Sequence, residues 1–169
     1  MPLLRLPPLG ILIRLALLAL PAVVLGLVWH WGAERQVRLH FAALCTAVSE
    51  RDSGDMEALI DPAYADRWGM DRTTVLRESR EVLRQFFALD VQAVDPAFER
   101  VGPREYRVSS RLRISGTGTA LAELAKQEAN RIETPWVFTW KRPDWKPWHW
   151  QLTQLDNAGI DLSRHRGEW

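Results

Sequence analysis

The chain has 169 residues, 47% of them hydrophobic, with 22 basic and 21 acidic side chains and a formal charge of +1. That is enough apolar material for one domain with a core and an extra segment. The balanced charge, with no basic block and no lysine interleaved with aromatics, points away from a nucleic-acid partner. Cys45 is the one cysteine, which excludes an intrachain disulfide and a disulfide-stapled scaffold.

From Leu15 to Trp29, LALLALPAVVLGLVW, no residue is charged or strongly polar. Extended to residues 9–31, the run is long enough to cross about 30 Å of hydrocarbon. Arg14 near one end can snorkel to the headgroups. Trp29 and Trp31 stand at the other end, where an aromatic belt is expected. Pro21 can kink such a helix without forbidding it. Arg5 and Arg14, with no acid among them, place the short tail 1–8 in the cytoplasm by the positive-inside rule. The expectation is a single-pass anchor in the inner membrane at 9–31, partnered by the lipid bilayer, with the domain outside. The alternative is secretion after signal cleavage, but Val24-x-Gly26 lies inside the run and WGA at 31–33 puts a bulky Trp31 where a small residue is needed.

The next segment, AERQVRLHFAALCTAVSERD, reads as an amphipathic helix with Val37, Phe41, Leu44 and Val48 on one face. SGD at 53–55 ends it and caps a short second helix, DMEALI, which stops at Asp61-Pro62. PAYADRWGM is an aromatic-rich loop. Asp71 caps a third helix, expected to run through Phe87 with Val75, Val82 and Phe86 in its stripe. The period then switches to two. LDVQAV at 89–94 places Leu89, Val91 and Ala93 on one face and Asp90 on the other. YRVSSRLRI at 106–114 places Tyr106, Val108, Ser110, Leu112 and Ile114 opposite Arg107, Arg111 and Arg113. SGTGT is expected as a loop and ALAELAKQEANRI at 120–132 as an inserted helix capped by Thr119.

PWVFTWKRPDWKPWHWQL at 135–152 carries five tryptophans. Pro143, Asp144 and Trp145 suit a tight connection. Pairing Trp140 with Trp148 then sets Phe138 against Trp150 and Trp136 against Leu152, all on one face. Trp145 stays at the tip. Three helices followed by antiparallel strands predict an α+β fold: three helices packed on a curved sheet over residues 33–160, with a polar tail, DLSRHRGEW, at 161–169.

This pattern resembles the nuclear transport factor 2-like superfamily, a cone-shaped α+β fold that includes ketosteroid isomerase and the SnoaL-like polyketide cyclases. The resemblance rests on VRLHFAALCTAVSERDSGDMEALI, a first helix running into a short second one. It rests also on the terminal hairpin WVFTWKRPDWKPWHWQLTQLDN, and it spans roughly residues 34–160. It implies a hollow between sheet and helices that serves as an active site in some members and as a binding pocket in others; fold alone does not decide which. An anchor followed by such a domain also looks like assembly components of bacterial secretion systems.

Candidate chemistry is sparse. An isomerase needs a carboxylate base and hydrogen-bond donors in an apolar cavity, and the candidates are His40, Tyr64 and Asp66. The competing reading has Tyr64 and Trp68 capping the core, Asp66 solvated and His40 at a helix edge. Trp68, Trp136, Phe138, Trp140, Trp148 and Trp150 are the candidate pocket lining for a flat, cationic or small apolar ligand. Arg107, Arg111 and Arg113 form a basic stripe that is either a solvated face paired with glutamates or a surface that could dock an acidic protein partner or sit near anionic headgroups, and the sheet could support a homodimer. Gly116-x-Gly118 lacks the remaining residues of a phosphate loop. The four histidines have no ligand spacing, no nucleophile elbow occurs, and neither metal nor cofactor is expected. The chain is thus read as a non-catalytic binding or assembly domain, with a SnoaL-like or ketosteroid-isomerase-like lyase or isomerase as the alternative.

Overall fold

The computed structural model describes residues 32–160, together with the isolated positions 20, 21, 24 and 26. The tail expected at 1–8, the tail at 161–169 and, but for those four positions, the span at 9–31 lie outside the described residues. Among the described residues no helix is long and apolar enough to cross a membrane.

Helix α1 (Ala33–Glu50) buries Gln36, Val37, Phe41, Leu44 and Ala47, a stripe at three- and four-residue spacing that turns one face inward. Arg51 ends it in the left-handed region, φ +60°. Asp52 accepts the backbone N–H groups of Gly54 and Asp55 at 2.8 and 2.9 Å and so starts α2 (Ser53–Leu59). Asp71 accepts the Thr74 N–H at 2.8 Å and starts α3 (Arg72–Leu83). That helix is shorter than expected. Its buried residues are Leu76 and Leu83, and Val75 of the expected stripe packs half-buried against the core, but Val82 is exposed and Phe86 has left the helix to pair with Gly118.

Four antiparallel strands, β1 (Phe86–Gly102), β2 (Glu105–Gly118), β3 (Trp136–Lys141) and β4 (Gln151–Asn157), form one sheet in chain order. Helix α4 (Ala120–Arg131) connects β2 to β3, capped by Thr119 as expected. It is the fourth helix among the described residues. β1 runs far beyond residue 94 because a bulge between Val94 and Ala97 carries the chain through Asp95, at φ +50°, and Pro96. β1 is an edge strand, so Pro96 costs no ladder bond, and the bulge bends the sheet. The buried Ser110 hydroxyl donates to the Val94 carbonyl at 3.0 Å beside it.

The glycines at 116 and 118 belong to β2 and not to a loop. Gly116 pairs with Leu89. Its φ is +140°, and a Cβ there would fall 2.1 Å from the Ala88 carbonyl oxygen, so only glycine lets the two strands approach.

The terminal hairpin also departs from expectation. Trp140 pairs with Leu152, Phe138 with Leu155 and Trp136 with Asn157, with an irregularity between Thr139 and Trp140. Trp148 and Trp150 precede β4 and sit in the connection 142–150. Asp144 builds that connection. It accepts the Lys146 N–H at 2.9 Å and meets His149 Nδ1 at 2.9 Å, while the Trp150 indole donates to the Pro147 carbonyl at 3.0 Å. These contacts hold the chain in a compact loop where a tight turn had been expected. The free edge of β4 is covered by the segment after α2: Asp61 N–H donates to Leu152 O at 2.9 Å and Ala65 N–H to Thr153 O at 3.2 Å.

The core lies between α1 and the inner sheet face. Phe41 meets Phe138 and Phe98 edge-on at 5.0 and 6.1 Å, a favoured aromatic geometry. Val37, Val108 and Trp140 are fully buried beside them.

Candidate functional site

The helices do not fill the whole concave face. A partly open hollow of about 190 Å³ remains between Leu44, Cys45 and Val48 of α1, Met56 of α2, Val75 and Ser79 of α3, and the sheet residues Val91, Leu112, Ile114, Trp136, Phe138, Leu152 and Leu155, with Ile60 and Tyr64 completing the wall. It is somewhat larger than the roughly 150 Å³ apolar cavity that accepts benzene and smaller than the roughly 300 Å³ at which pockets for drug-sized ligands begin. Side-chain polarity in this lining comes from the Cys45 thiol, the Tyr64 and Ser79 hydroxyls and the Trp136 indole N–H; no acid, histidine, lysine or arginine is among the lining residues.

Tyr64 is buried, and its hydroxyl donates to Asp66 Oδ2 at 3.4 Å. Burial holds the phenol well above its ordinary range, and the Asp66 carboxylate adds to the rise. Tyr64 is therefore a neutral donor at any physiological pH and not a base. Burial likewise pushes the Cys45 thiol up to about 11.

Asp66 is not solvated. It is buried, and its Oδ1 accepts the backbone N–H groups of Trp68 and Met70 at 2.9 Å each. This is the local bonding by which Asp organises a turn, and it shapes the loop behind Tyr64. His40 is half-buried at the edge of α1. Its Nδ1 lies 2.8 Å from the Gln36 carbonyl and its ring meets Trp140 edge-on at 6.3 Å. Neither His40 nor Asp66 lines the hollow. Of the three candidate catalytic residues, Tyr64 and Asp66 thus meet, with Tyr64 alone of them lining the hollow, and His40 stands apart.

Of the six aromatic residues expected to line a pocket, Trp136 and Phe138 do so. Trp68 packs edge-on behind Trp136 at 6.2 Å and donates its indole N–H to the Ile160 carbonyl at 3.3 Å. Trp140 and Trp150 are 0% and 1% exposed and form solid core, Trp150 meeting Tyr106 edge-on at 5.6 Å. Trp148 lies at the surface. The changed hairpin register is the reason: it leaves Trp148 and Trp150 outside β4 and sets Leu152 and Leu155 where they had been expected.

Arg107, Arg111 and Arg113 are exposed on the outer sheet face. Arg111 pairs with Asp95 at 3.2 Å, Arg107 lies across from Glu99 and Arg113 from Gln92, so acids on β1 offset much of the stripe. Among the described residues no three His, Cys, Asp or Glu side chains gather as a metal group. Sequence reasoning passed over Cys45, Val48 and Ser79 as lining. Cys45 had a signal: with Phe41, Leu44 and Val48 it continues the three- and four-residue spacing of the α1 stripe.

No family model matches the chain, and no curated protein matches it. Solved structures do. A putative dehydratase of the NTF2-like family from Streptomyces avermitilis is similar at 18% identity and TM-score 0.54, over 73% of this chain and 93% of that one. A hexachlorocyclohexane dehydrochlorinase, LinA-type3 from Novosphingobium barchaimii, is similar at 12% identity and TM-score 0.52, over 73% and 89%. Bd1075 of Bdellovibrio bacteriovorus is similar at 8% identity and TM-score 0.55; this chain covers 41% of its length, with 75% of this chain aligned. At such identities the likeness is one of fold: an α+β cone of NTF2-like type.

Proposed function

We propose that this chain is a membrane-anchored, extracytoplasmic domain that binds a small apolar molecule, non-catalytically, in the hollow of its cone. One observation carries the binding reading. The hollow is apolar, and its polar side chains, Cys45, Tyr64, Ser79 and Trp136, include no group ready to take a proton at neutral pH. Proton abstraction needs a base within hydrogen-bond reach of the reacting carbon. Binding by burial of apolar area needs only the shape. The anchor rests on the uncharged run at 15–29 and its flanks.

A lyase or isomerase of SnoaL or ketosteroid-isomerase type is the second reading. Tyr64 favours it, because a neutral phenol in the wall can donate to a developing oxyanion once its proton turns from the long 3.4 Å bond to Asp66. The test is tryptophan fluorescence of the full chain in detergent micelles, titrated with single-ring apolar compounds. Trp136 in the wall reports occupancy. The expected result is a saturable change that disappears in Ser79→Phe, a variant that fills the hollow, with the fold checked by circular dichroism. An unresponsive protein overturns the binding reading. Turnover of an enolisable ketone that is lost on Tyr64→Phe establishes the second one.

A further inference from the structure

The connection 142–150 presents two large apolar side chains to solvent: Trp145 is 74% and Trp148 46% exposed. Around them stand the exposed cations Lys141 and Lys146, and exposed Arg104 lies across the neighbouring turn. Of the acids at this end, Glu105 pairs with Lys141 at 3.6 Å, Glu34 with Arg38 at 2.7 Å, and Asp144 holds His149 at 2.9 Å, while exposed Glu99 on β1 lies across from Arg107 on β2. Pro143 and Pro147 bracket Trp145 and stiffen the loop, so little ordering is needed on docking.

The position of this loop relative to the chain's entry point singles out its partner. Along α1, the Ser49 hydroxyl meets Val91 N–H at 2.9 Å, Phe41 meets Phe98 at 6.1 Å, and the Arg38 guanidinium lies 3.9 Å from the centre of the Phe98 ring. Moving toward the start of α1 therefore moves along β1 toward Gly102. From Arg38 back to Gly32 is about 9 Å of helix, and from Phe98 on to Gly102 about 13 Å of strand. The β1–β2 turn is tied to the tryptophan loop by Arg142 N–H donating to Arg104 O at 3.0 Å and by Glu105 pairing with Lys141 in register. Gly32, the turn at 103–104 and the loop at 142–150 share one end of the domain. The apolar run at 9–31 joins the domain at that same end.

We infer that the 142–150 loop is a second membrane contact. Trp145 and Trp148 insert at the headgroup level of the bilayer that holds residues 9–31, while Arg104 and Lys146 face anionic headgroups. Tryptophan, with an apolar body and one polar N–H, favours that depth, and nearby cations add attraction to anionic lipid. The cone is thereby seated against the membrane at a set tilt instead of swinging on its tether. This inference rests on the membrane-anchored reading.

The test uses the full chain in vesicles of phosphatidylcholine with phosphatidylglycerol, in a Cys45→Ala background. Single nitroxides are placed through Leu20→Cys in the apolar run, Lys146→Cys in the loop, and Arg84→Cys at the far end of the domain. Relative collision with oxygen and with a water-soluble nickel chelate gives the depth of each. The expected pattern is hydrocarbon at 20, interface at 146 and water at 84, with the label at 146 returning to water when Trp145→Ser and Trp148→Ser are added. Hydrocarbon at 20 with water at 146 overturns the seating and leaves the anchor standing. Water at 20 overturns both. A label at 146 that stays at the interface without the tryptophans also overturns the inference.

Discussion

Cys45 is a built-in probe of the hollow. It is the one cysteine in the chain, it lines the cavity, and burial holds its thiol up at about 11 against an ordinary 9.0. Alkylating reagents and disulfides attack the thiolate and not the thiol. At pH 8 a group titrating at about 11 is ionised to about one part in a thousand, against about one part in ten for the ordinary thiol. The folded protein should therefore react with a small maleimide about 100-fold more slowly than the unfolded chain. The rate should then climb about tenfold per pH unit through pH 10, where the unfolded chain levels off. The assay is stopped-flow modification across pH 7 to 10, with the protein in denaturant as reference, and an apolar occupant should slow it further. A folded rate within about threefold of the unfolded one, or a plateau near pH 9, would refute the placement of Cys45 in the wall.

The buried and exposed tryptophans should separate by stability. Trp140→Ala, at a fully buried position, should cost about 3–5 kcal/mol in urea unfolding. Trp145→Ala, at a mostly exposed one, should stay within about 0.5 kcal/mol; equal costs would contradict the observed register. Trp140→Phe should cost less than Trp140→Ala, since it keeps most of the ring volume and removes an indole N–H that lacks a hydrogen-bond partner. Alkaline pH should destabilise the fold. The folded-state values of Cys45 and Tyr64 are both raised, so as pH climbs past the unfolded values the unfolded chain sheds protons that the folded chain retains, and stability falls. The loss begins near pH 9 for Cys45, whose unfolded thiol titrates there, and nearer pH 10 for Tyr64. A Cys45→Ala, Tyr64→Phe protein should lose less stability between pH 8 and 10.5 in thermal melts, and an unchanged slope would count against burial of both groups.

What the sequence revealed of this fold follows the range of the interactions involved. The α1 stripe of Val37, Phe41 and Leu44 and the caps at Asp71 and Thr119 are set within a turn or two of chain, and they are legible from spacing. The alternation of Tyr106, Val108 and Ser110 is equally local. Pairing partners are not. Trp140 moves from Trp148 to Leu152, a slip of four that keeps the two-residue parity, and the irregularity between Thr139 and Trp140 then makes the slip five for Phe138 and Trp136, so that Leu155 and Asn157 take the inner positions. Between the two registers the deciding contacts are Asp144 with His149 and the Trp150 indole with Pro147, and side-chain period carries no trace of them. Gly116 misled for a related reason. It is a common breaker, and it lies within a strand because β1 approaches there too closely for any Cβ.

The same distribution of side chains explains why the cone has a hollow and where it lies. The large rings gather at the end near the 142–150 loop: Trp140, Trp150, Tyr106, Phe41 and Phe98 fill the space between α1 and the sheet there. Toward the other end Trp136 and Phe138 stand among smaller inward residues, Cys45, Val48, Val75, Val91 and Ile114, and the bent sheet leaves more room than these can occupy. Interiors are otherwise packed to near-crystalline density, and lost dispersion contacts make an empty apolar space costly. On the binding reading proposed above, an occupant of one apolar ring would regain those contacts. The tryptophan-rich hairpin therefore serves the pocket indirectly: by making one end of the cone solid, it confines the open volume to the end where Cys45, Tyr64, Ser79 and Trp136 supply the polar groups.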